Sequence, residues 1–316
     1  GPATGADPHE VTRYNLAVAA GGLGGGLLGG VAAPLVLQST VEYPLLLAAA
    51  LCLAPAGGGG RARLFAGALT LPILFAGFRA EALAHTWPAL LVGAAFCVLA
   101  RRSFDWSRAR SAASLALVIG VVVCRPGPSE LHAARSLHGV HRVVSMDGFN
   151  HHLSSGVVHG RQAREAGLSG VPRSYFAAEA PLGQVVASWS ASHPRGQAAV
   201  VGLGIGGVLP HAAPGQRWRF WELDPVVISI ARDPQLFTYL RDARARGVTL
   251  EVLLGDGRLG LAREPETSRH DMLVLDAFSG SAAPIHLLTE EAFDLYAARI
   301  EREGLLVFNI STRYLD

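Results

Sequence analysis

Acidic side chains follow three apolar segments in the second half of the sequence. Glu222, Asp256 and Asp276 each lie at the end of a different predicted β-strand. The carboxyl ends of parallel strands meet at one edge of a sheet, where ligands bind. There Glu222 can accept both hydroxyls of a ribose, Asp256 can accept from an adenine amino group, and Asp276 faces the reacting end. Taken singly, each acid is better explained as a solvated loop residue or a helix cap, whereas together their order favours a nucleoside-containing cofactor.

A glycine-rich turn follows an earlier predicted strand, which is the first of five, so that Glu222, Asp256 and Asp276 end the second, third and fourth. Glycines at 202, 204 and 206 let a ligand approach the backbone closely. The turn also matches a GxGxxG pattern with an acid about twenty residues past its first glycine, so NAD is a competing cofactor. Acids after both the third and the fourth strands instead favour the arrangement that binds S-adenosylmethionine, and no group of residues suited to hydride transfer is visible. The cofactor-binding candidates are Gly202, Gly204, Gly206, Glu222, Asp224, Asp256 and Gly257.

Five short apolar runs alternate with helical segments from Gln197 onward. Continuous apolar runs are typical of strands that are buried on both faces of a parallel sheet. One helix is predicted from Pro225 to about Arg246, and Thr289 can cap another that extends to about Glu303. The predicted fold class is therefore α/β, with a Rossmann-like parallel sheet of the S-adenosylmethionine-dependent methyltransferase type. The predicted strands are Ala198–Leu203, Trp218–Leu223, Val248–Leu254, Met272–Leu275 and Leu305–Ile310.

A β-rich segment precedes this sheet. Residues from Gly139 to Met146 favour a strand, Asp147-Gly148 is a hairpin turn signal, and a second strand-like run ends near Val158. We therefore predict a small antiparallel β-hairpin unit ahead of the larger domain. The predicted domains are a membrane region at 1–129, the β-rich unit at 130–196 and the nucleoside-binding domain at 197–316.

The first part of the chain has the composition of a membrane region. Hydrophobic residues make up 50% of the sequence and charged residues 16%, and the mean hydropathy is +0.31. Residues 1–125 carry only 14 of the 52 charged side chains. Residues 14–41 contain no charged side chain and exceed the ~20 residues that a transmembrane helix needs. Further charge-free segments lie at 43–60, 64–78, 82–100 and 111–124.

Arginine placement predicts the orientation of this region. With four crossings, seven arginines fall on one side of the membrane and only Arg79 falls on the other. The positive-inside rule places the first side in the cytoplasm. The segment 111–124 is short enough to be interfacial or re-entrant; if it crosses instead, the soluble part lies outside the cell. Because the expected cofactor is a cytoplasmic metabolite, we predict a multi-pass protein of the bacterial inner membrane with a cytoplasmic catalytic domain.

Residue types exclude several classes of site. All 27 basic residues are arginine, which excludes a P-loop lysine and a lysine that forms a Schiff base. The three cysteines are too few and dispersed for a disulfide framework or a zinc site, and no pair of histidines has HxxxH spacing. We therefore predict no metal. The net charge of +2 is too small to indicate a nucleic-acid partner.

Several of these motifs resemble the polyamine aminopropyltransferase (spermidine synthase) family. The glycine turn and the acids after the second, third and fourth strands are similar to those of the family as a whole. Three further segments resemble its membrane-fused bacterial branch, and the resemblance extends over about residues 14–316. The segments are Gly202–Gly206, Glu222–Asp224, Gly255–Gly257 and Leu273–Phe278, and for the branch Glu42–Pro44, His159–Gln162 and Pro284–Thr289.

The resemblance implies transfer of an aminopropyl group from decarboxylated S-adenosylmethionine to a small-molecule amine or polyamine, with release of methylthioadenosine. Asp276 lies at the family position that takes the proton of the amine. By resemblance, Glu222 holds the ribose and Asp256 the adenine. A lipid bilayer is the expected partner of the membrane region, and whether the protein forms a homodimer stays open. On the substrate side, the resemblance places His159, Gln162, Tyr175 and Ser279.

Two positions depart from the pattern of the family. The resemblance implies an aspartate in the glycine turn, where this chain has Ile205, and another three residues past Asp276, where it has Ser279. Each lost acid weakens the hold on a polycation, so an S-adenosylmethionine-dependent methyltransferase is the alternative function. A non-catalytic nucleoside-sensing or transport protein is a second alternative.

The chain ends at Asp316, just after the fifth predicted strand, so we expect a sheet without the last strands of the family.

Overall fold

A computed structural model of the chain describes residues 8–36, 129–278 and 282–310. The chain divides into two compact units, Gly1–Gly127 and Pro128–Asp316, which are described one at a time. Four of the predicted membrane segments, at 43–60, 64–78, 82–100 and 111–124, lie outside the described residues, and so does the predicted site residue Ser279.

The described part of the first unit is one long apolar helix. Helix α1 (Pro8–Leu27) continues through a π-helical turn (Leu28–Ala32) into α2 (Ala33–Val36). Within it, the 27 residues His9–Leu35 are long and apolar enough to cross a membrane. A Cβ atom built on its central glycines would meet no described atom within 4 Å. These glycines therefore leave a smooth helix surface, on which another helix could pack closely.

The second unit begins with a four-stranded antiparallel sheet. Its strands lie in sequence order, and Met146 pairs with Phe149 across the hairpin turn. Asp147 and Gly148 have φ angles of 51° and 79°, the left-handed conformations that a two-residue hairpin turn needs. The hairpin predicted at Asp147-Gly148 is thus confirmed. The second strand predicted to end near Val158 is wrong as a single element, because a turn at Ser155 and Gly156, with φ angles of 48° and 86°, divides it into two strands. The strands are β1 (Glu130–Arg135), β2 (Val140–Met146), β3 (Phe149–Ser154) and β4 (Val157–Ala163).

A five-stranded parallel sheet follows, as predicted. Its strand order is β7-β6-β5-β8-β9, so the chain moves outward on one side of β5 and then returns to the other side. This reversal creates a crevice at the carboxyl ends of the strands, where ligands bind in doubly wound folds. The strands are β5 (Gln197–Val201), β6 (Arg217–Glu222), β7 (Thr249–Leu254), β8 (His270–Leu275) and β9 (Ile300–Phe308).

The helix predicted from Pro225 to about Arg246 is wrong as a single element. The structure has α4 (Pro225–Arg232) and α5 (Tyr239–Ala245), separated by a loop. Asp233 ends the first helix in an extended conformation with φ −78° and ψ 109°. The residue before a proline is disfavoured in the helical conformation, and Pro234 follows. Helix α3 (Pro181–Ser192) precedes the first strand of the parallel sheet in the chain. Helix α6 (Gly257–Arg263) connects β7 to β8.

The last described helix is also shorter than predicted. Thr289 caps α7 (Glu290–Arg299) by accepting from the Ala292 amide, as its position before two glutamates indicates. The helix ends four residues before Glu303, because Ile300 already pairs with β8 and begins β9. The guanidinium of Arg299 donates to the Leu261 carbonyl at 2.8 Å, which fixes this end of the helix against α6.

The parallel sheet is buried on both faces. Alternate residues of β5 and β8 pack into two separate hydrophobic clusters, one on each side of the sheet. Val200 and Val274 belong to the first cluster, whereas Val201 and Leu275 belong to the second. All four side chains are at most 5% exposed. This packing gives a rigid platform, so loops that leave the strand ends hold their side chains in fixed positions.

Polar contacts join the antiparallel sheet to the parallel sheet. The Asn150 side chain donates to the Leu236 carbonyl at 2.8 Å, just before α5. The His141 ring contacts the Asp224 carboxylate at 2.8 Å, at the start of α4. Both side chains are less than 10% exposed. The small sheet is therefore positioned relative to the strand ends by buried hydrogen bonds, which break if the two sheets separate.

A row of buried histidines extends from this contact. His141 Nδ1 lies 3.2 Å from His152 Nε2, and the two rings stack with their centroids 5.4 Å apart. The His159 ring centroid is 6.1 Å from that of His152. Burial, reinforced by His141 and His159, lowers the pKa of His152 to about 3. Because an unfolded histidine has a pKa near ~6.5, the unfolded chain binds this proton at a higher pH than the folded protein does.

The row of histidines predicts that acid lowers the stability of the folded protein. Between about pH 6.5 and 3 the unfolded state binds one more proton at His152, so the free energy of unfolding should decrease as the pH falls. In His152→Gln the amide can still donate to His141 but does not titrate. Near pH 5, its stability should therefore depend less steeply on pH, by about 1.4 kcal/mol per pH unit. Urea unfolding of the full chain, followed by tryptophan fluorescence at several pH values, measures both slopes.

The matched control is His138→Gln, because His138 is exposed on the turn before β2. This variant should keep the wild-type slope. An unchanged slope in His152→Gln would show that His152 is not the group that couples acid to unfolding.

Candidate active site

The glycine turn after β5 packs directly against the end of β8. Gly202 has a φ of 100°, and a Cβ atom there would lie 2.4 Å from the carbonyl oxygen of Asp276. Gly206 has a φ of 76°, and its Cβ would lie 2.5 Å from Leu240 Cδ1. Gly204, with a φ of 52°, lies between them. Only glycine combines these left-handed conformations with such close contacts, so the turn brings bare backbone beside Asp276.

Glu222 ends β6 directly under this turn. Its carboxylate accepts from the backbone amides of Leu203 and Asp224, both at 2.9 Å. Burial raises the pKa of Glu222, while these two amides oppose the shift by stabilising the charged form. A carboxylate has about four acceptor positions, so two backbone bonds leave others that can accept the hydroxyls of a sugar. The glycine turn and the acid are thereby fixed to each other before any ligand binds.

Asp276 follows β8 at the centre of the site. The Asn309 side-chain amide donates to one carboxylate oxygen at 2.7 Å, and the Tyr175 hydroxyl donates to the other at 3.2 Å. Burial raises the pKa of Asp276 to about 7, although both donors act to lower it, and the charge of Glu222 raises it further. Asp276 can therefore change its protonation state near neutral pH, as a general base or acid must.

Tyr175 keeps its proton in this arrangement. Burial and the neighbouring Asp276 raise the pKa of its hydroxyl well above the ordinary value. The hydroxyl therefore acts as a donor to the carboxylate at any physiological pH. Its ring packs on Phe176 with the centroids 4.7 Å apart. Phe176 in turn lies against the glycine turn, where a Cβ atom on Gly207 would be 3.5 Å from its Cδ2 atom.

A cleft opens between this loop, β4 and the glycine turn. The structure brings four predicted site residues together along its walls: His159, Tyr175, Gly204 and Asp276. His159 Nε2 is buried and forms no hydrogen bond with any described residue. Burial, reinforced by His141, lowers the pKa of His159, so its ring is neutral at pH 7. A neutral imidazole ring therefore lines the same cleft as the Asp276 carboxylate.

Two predicted site residues form hydrogen bonds with other groups of the protein and are not available to a ligand. Gln162 donates to the Ser169 carbonyl and accepts from the Thr238 amide, both at 2.8 Å. The Asp224 carboxylate accepts from the Val226 amide and contacts the His141 ring, both at 2.8 Å. Both side chains are 3% exposed. The structure therefore does not bring either of them to the cleft, and it gives each a role in joining the small sheet to the large one.

Asp256 and Gly257 lie beyond the glycine turn, at the end of β7. Asp256 caps α6 by accepting from the Leu259 amide at 2.9 Å, and its other oxygen lies 2.9 Å from His286 Nε2. A Cβ atom on Gly257 would lie 2.5 Å from Val201 Cγ1, so glycine is needed for α6 to approach β5. Both carboxylate oxygens of Asp256 therefore already have partners within the protein.

Sequence reasoning missed Asn309, Arg161 and Arg173. Asn309 directly follows β9, and the rule that identified the acids at the other strand ends would have found it. Arg161 and Arg173 line the cleft, but no spacing rule connects the middle of β4 to a loop twelve residues later. A metal is not needed to explain these contacts: within residues 8–36, 129–278 and 282–310 no group of three or more His, Cys, Asp or Glu side chains could hold one.

The chain is similar to a curated polyamine aminopropyltransferase over part of its length. No protein-family model matches it. It is 32% identical over 115 residues to a polyamine aminopropyltransferase of Vibrio vulnificus, a match that covers 35% of this chain and 36% of the relative. The chain thus matches only about a third of that relative's length, and the predicted resemblance to the polyamine aminopropyltransferase family is confirmed over this segment.

Solved structures of two spermidine synthases are also similar. A probable spermidine synthase from Corynebacterium glutamicum has a TM-score of 0.42 at 16% identity, covering 58% of this chain and 64% of that protein. The spermidine synthase of Thermotoga maritima has a TM-score of 0.40 at 16% identity, covering 56% of each chain.

The contacts of Asp276 predict how its pKa responds to mutation. In Asn309→Ala the carboxylate loses a donor that stabilises its charged form, so its pKa should rise above about 7. A hydrogen bond to a charged group is typically worth ~1.5–3 kcal/mol, which corresponds to about 1–2 pH units. The pKa can be measured from the ¹³C shift of labelled aspartate carboxyls in a pH titration.

The Asp276→Asn variant identifies the signal, because that resonance alone should disappear. Tyr175→Phe removes the longer hydrogen bond, at 3.2 Å, and should raise the pKa less. If Asn309→Ala left the pKa unchanged or lowered it, Asn309 would not be the donor that keeps Asp276 ionisable.

Proposed function

We propose that the protein is an aminopropyltransferase that uses decarboxylated S-adenosylmethionine and an amine acceptor. The observation that carries the proposal is Asp276, a carboxylate with a pKa of about 7 in a cleft beside a glycine turn. The similarity to a polyamine aminopropyltransferase supports it over the matched segment. The proposed transfer converts the donor to methylthioadenosine.

The proposed step is a nucleophilic substitution at carbon. The acceptor is an ammonium ion with a pKa of ~10, and it must lose a proton before its nitrogen can attack. Asp276 takes that proton. The nitrogen then bonds to the methylene carbon next to the sulfonium, the carbon–sulfur bond breaks, and its electron pair stays on sulfur as a neutral thioether. Tyr175 and Asn309 orient the carboxylate through their hydrogen bonds.

The nucleoside of the donor is assigned to the strand ends on the other side of β5. Glu222 is proposed to accept the ribose hydroxyls, since its position is fixed by the glycine turn. Asp256 is proposed to accept from the adenine amino group, with His286 giving up its contact. Gly204 and its neighbours allow the sulfonium end of the donor to lie against the backbone.

The acceptor is proposed to enter past His159 and Tyr175. Both line the cleft in which Asp276 lies, and the neutral His159 ring can accept a hydrogen bond from an amine. Transfer of a methyl group from S-adenosylmethionine would use the same nucleoside contacts, and its by-product, S-adenosylhomocysteine, distinguishes it from the proposed reaction.

Replacement of the proposed base tests this function. Asp276→Asn should lower turnover by ~10²–10⁴-fold, because the amine no longer loses its proton to a positioned base. Wild-type turnover should rise with pH through about 7, as Asp276 becomes ionised. Mass spectrometry of methylthioadenosine release from decarboxylated S-adenosylmethionine and diamines measures both effects.

Two further variants separate catalysis from binding. Glu222→Gln should weaken methylthioadenosine binding, which calorimetry measures, whereas Asp276→Asn should bind it almost normally. Asp294→Asn on the exposed face of α7 is the matched control and should keep full turnover. Full turnover in Asp276→Asn would remove its assigned role, and S-adenosylhomocysteine as the by-product would replace aminopropyl transfer with methyl transfer.

We also propose that the protein is a multi-pass protein of the bacterial inner membrane with its second unit in the cytoplasm. The long apolar helix His9–Leu35 supports membrane attachment, and the arginine bias of the sequence supports the orientation.

Reporter fusions after residue 130 test the orientation. A green fluorescent protein fused there should fluoresce, and alkaline phosphatase at the same place should be inactive, since it needs an oxidising compartment. The same reporters on a periplasmic protein serve as controls. Active phosphatase would place the second unit outside the cytoplasm, away from the source of the donor.

A further inference from the structure

The cleft has an unusual balance of charge for a site that binds polyamines. Among the described residues that line it, Asp276 is the one acid, while Arg161 and Arg173 add two positive charges. A diamine carries two ammonium groups, and the decarboxylated donor carries one ammonium and one sulfonium. Together they would bring three positive charges besides the ammonium that reacts. Arg161 is exposed and Arg173 is half-buried. Added positive charges beside them meet like charges and find no carboxylate other than Asp276, so such substrates would be poorly matched to this cleft.

The two arginines lie on one aromatic ring. The guanidinium carbons of Arg161 and Arg173 are 5.3 and 5.6 Å from the ring centroid of Phe149. Stacking on an aromatic face holds a guanidinium in place while leaving its N–H groups free to bind a ligand.

Neither of these arginines is paired with a carboxylate in the part of the chain that the structure describes, and Arg173 Nε is buried without a hydrogen-bond partner. Other arginines of the unit are paired: Arg219 binds Glu251 at 2.7 Å, and Arg142 binds Glu130 at 3.3 Å. A buried N–H donor without a partner is costly, so an anionic ligand that supplies the missing acceptor would be bound favourably.

Ile205 makes another part of the cleft wall apolar. Ile205 is 2% exposed, and a Cβ atom on Gly160 would lie 2.8 Å from Ile205 Cγ1. The isoleucine therefore fills the space between the glycine turn and β4. It offers no charge to an ammonium group and does not repel a carboxylate.

We propose that the chain of the substrate that enters this cleft carries a carboxylate, which Arg161 and Arg173 bind beside Phe149. The inference rests on the proposed transfer from an adenosyl sulfonium donor to an amine, and it replaces one of the two proposed substrates by its α-amino carboxylate counterpart. Guanidinium groups favour carboxylates because their planar N–H groups match the two oxygens.

Two substrates could supply this group. If the donor supplies it, the donor is intact S-adenosylmethionine and the amine nitrogen bonds to the methylene of its 3-amino-3-carboxypropyl chain. The carbon–sulfur bond breaks with its electron pair on sulfur, methylthioadenosine leaves, and Asp276 takes the proton of the amine. If the acceptor supplies it, the same bonds form and break with the decarboxylated donor, and the acceptor is an amino acid.

Matched pairs of probes test the carboxylate directly. S-adenosylmethionine and its decarboxylated form differ by one carboxylate, and so do ornithine and 1,4-diaminobutane. Binding of each donor to the full chain is measured by calorimetry, and products of every donor–acceptor combination are identified by mass spectrometry. The wild type should prefer the carboxylate-bearing member of at least one pair by about tenfold or more, the size of effect expected for a charge-assisted hydrogen bond.

The arginine variants show which side chains create the preference. Arg161→Gln and Arg173→Gln should each reduce it, and the double variant should abolish or reverse it, while methylthioadenosine binding stays unchanged because that product has no carboxylate. Retained methylthioadenosine binding also shows that the variants are folded. Arg164→Gln, an exposed arginine at the start of the same loop, is the control and should keep the wild-type preference.

The outcomes separate the inference from the proposed function. Preference for the carboxylate in the donor pair, or in the acceptor pair, supports the inference and identifies the source. Efficient turnover of decarboxylated S-adenosylmethionine with 1,4-diaminobutane, with no preference for either carboxylate, overturns the inference and leaves the proposed function standing. A wild type that releases S-adenosylhomocysteine overturns the proposed function, while the ratio of donor affinities still decides whether the arginines bind a carboxylate.

Discussion

Removal of water from the Asp276 carboxylate is the constraint on which the rest of the site depends. In water a carboxyl group has a pKa near ~4 and takes a proton poorly from an amine. Burial brings the pKa of Asp276 to about 7, and the donors Asn309 and Tyr175 keep its charged form accessible. These donors come from the end of β9 and from the loop before α3. The tuned carboxyl group therefore exists only after both have packed against β8.

The small antiparallel sheet completes that environment. It contributes His159 to the cleft, and it is fixed to the strand ends through His141, which contacts Asp224, and through Gln162, which binds Thr238. These contacts explain why polar residues next to the proposed ligand-binding positions are themselves buried. A side chain that lies close to a functional group along the sequence can serve to hold the wall of the site without touching the substrate.

The elements of the nucleoside-binding domain could be predicted where burial alone decides them. Continuous apolar runs identified all five parallel strands. The ends of two of them, β6 and β8, located Glu222 and Asp276. Pro234 is the local signal for the break between α4 and α5, because the residue before a proline is disfavoured in the helical conformation. The roles of Gln162 and Asp224 could not be predicted, because they depend on which partner the tertiary fold brings within 3 Å. Hydrogen-bond partners distant in sequence leave no local signal.

Charge balance links the proposed chemistry to the shape of the cleft. Before the proposed transfer, the reacting ammonium and the sulfonium face two carboxylates, Glu222 and Asp276. Afterwards the new ammonium faces Glu222 alone, because Asp276 has taken a proton and the sulfur is neutral. The inner end of the site is thus electrically neutral at both stages, which avoids the large cost of an unpaired buried charge. The remaining charges of the substrate must then be balanced at the outer end. Arg161 and Arg173 already place two positive charges there. An added ammonium raises that charge to three, whereas an amino group accompanied by a carboxylate adds no net charge and gives the guanidinium groups an anionic partner.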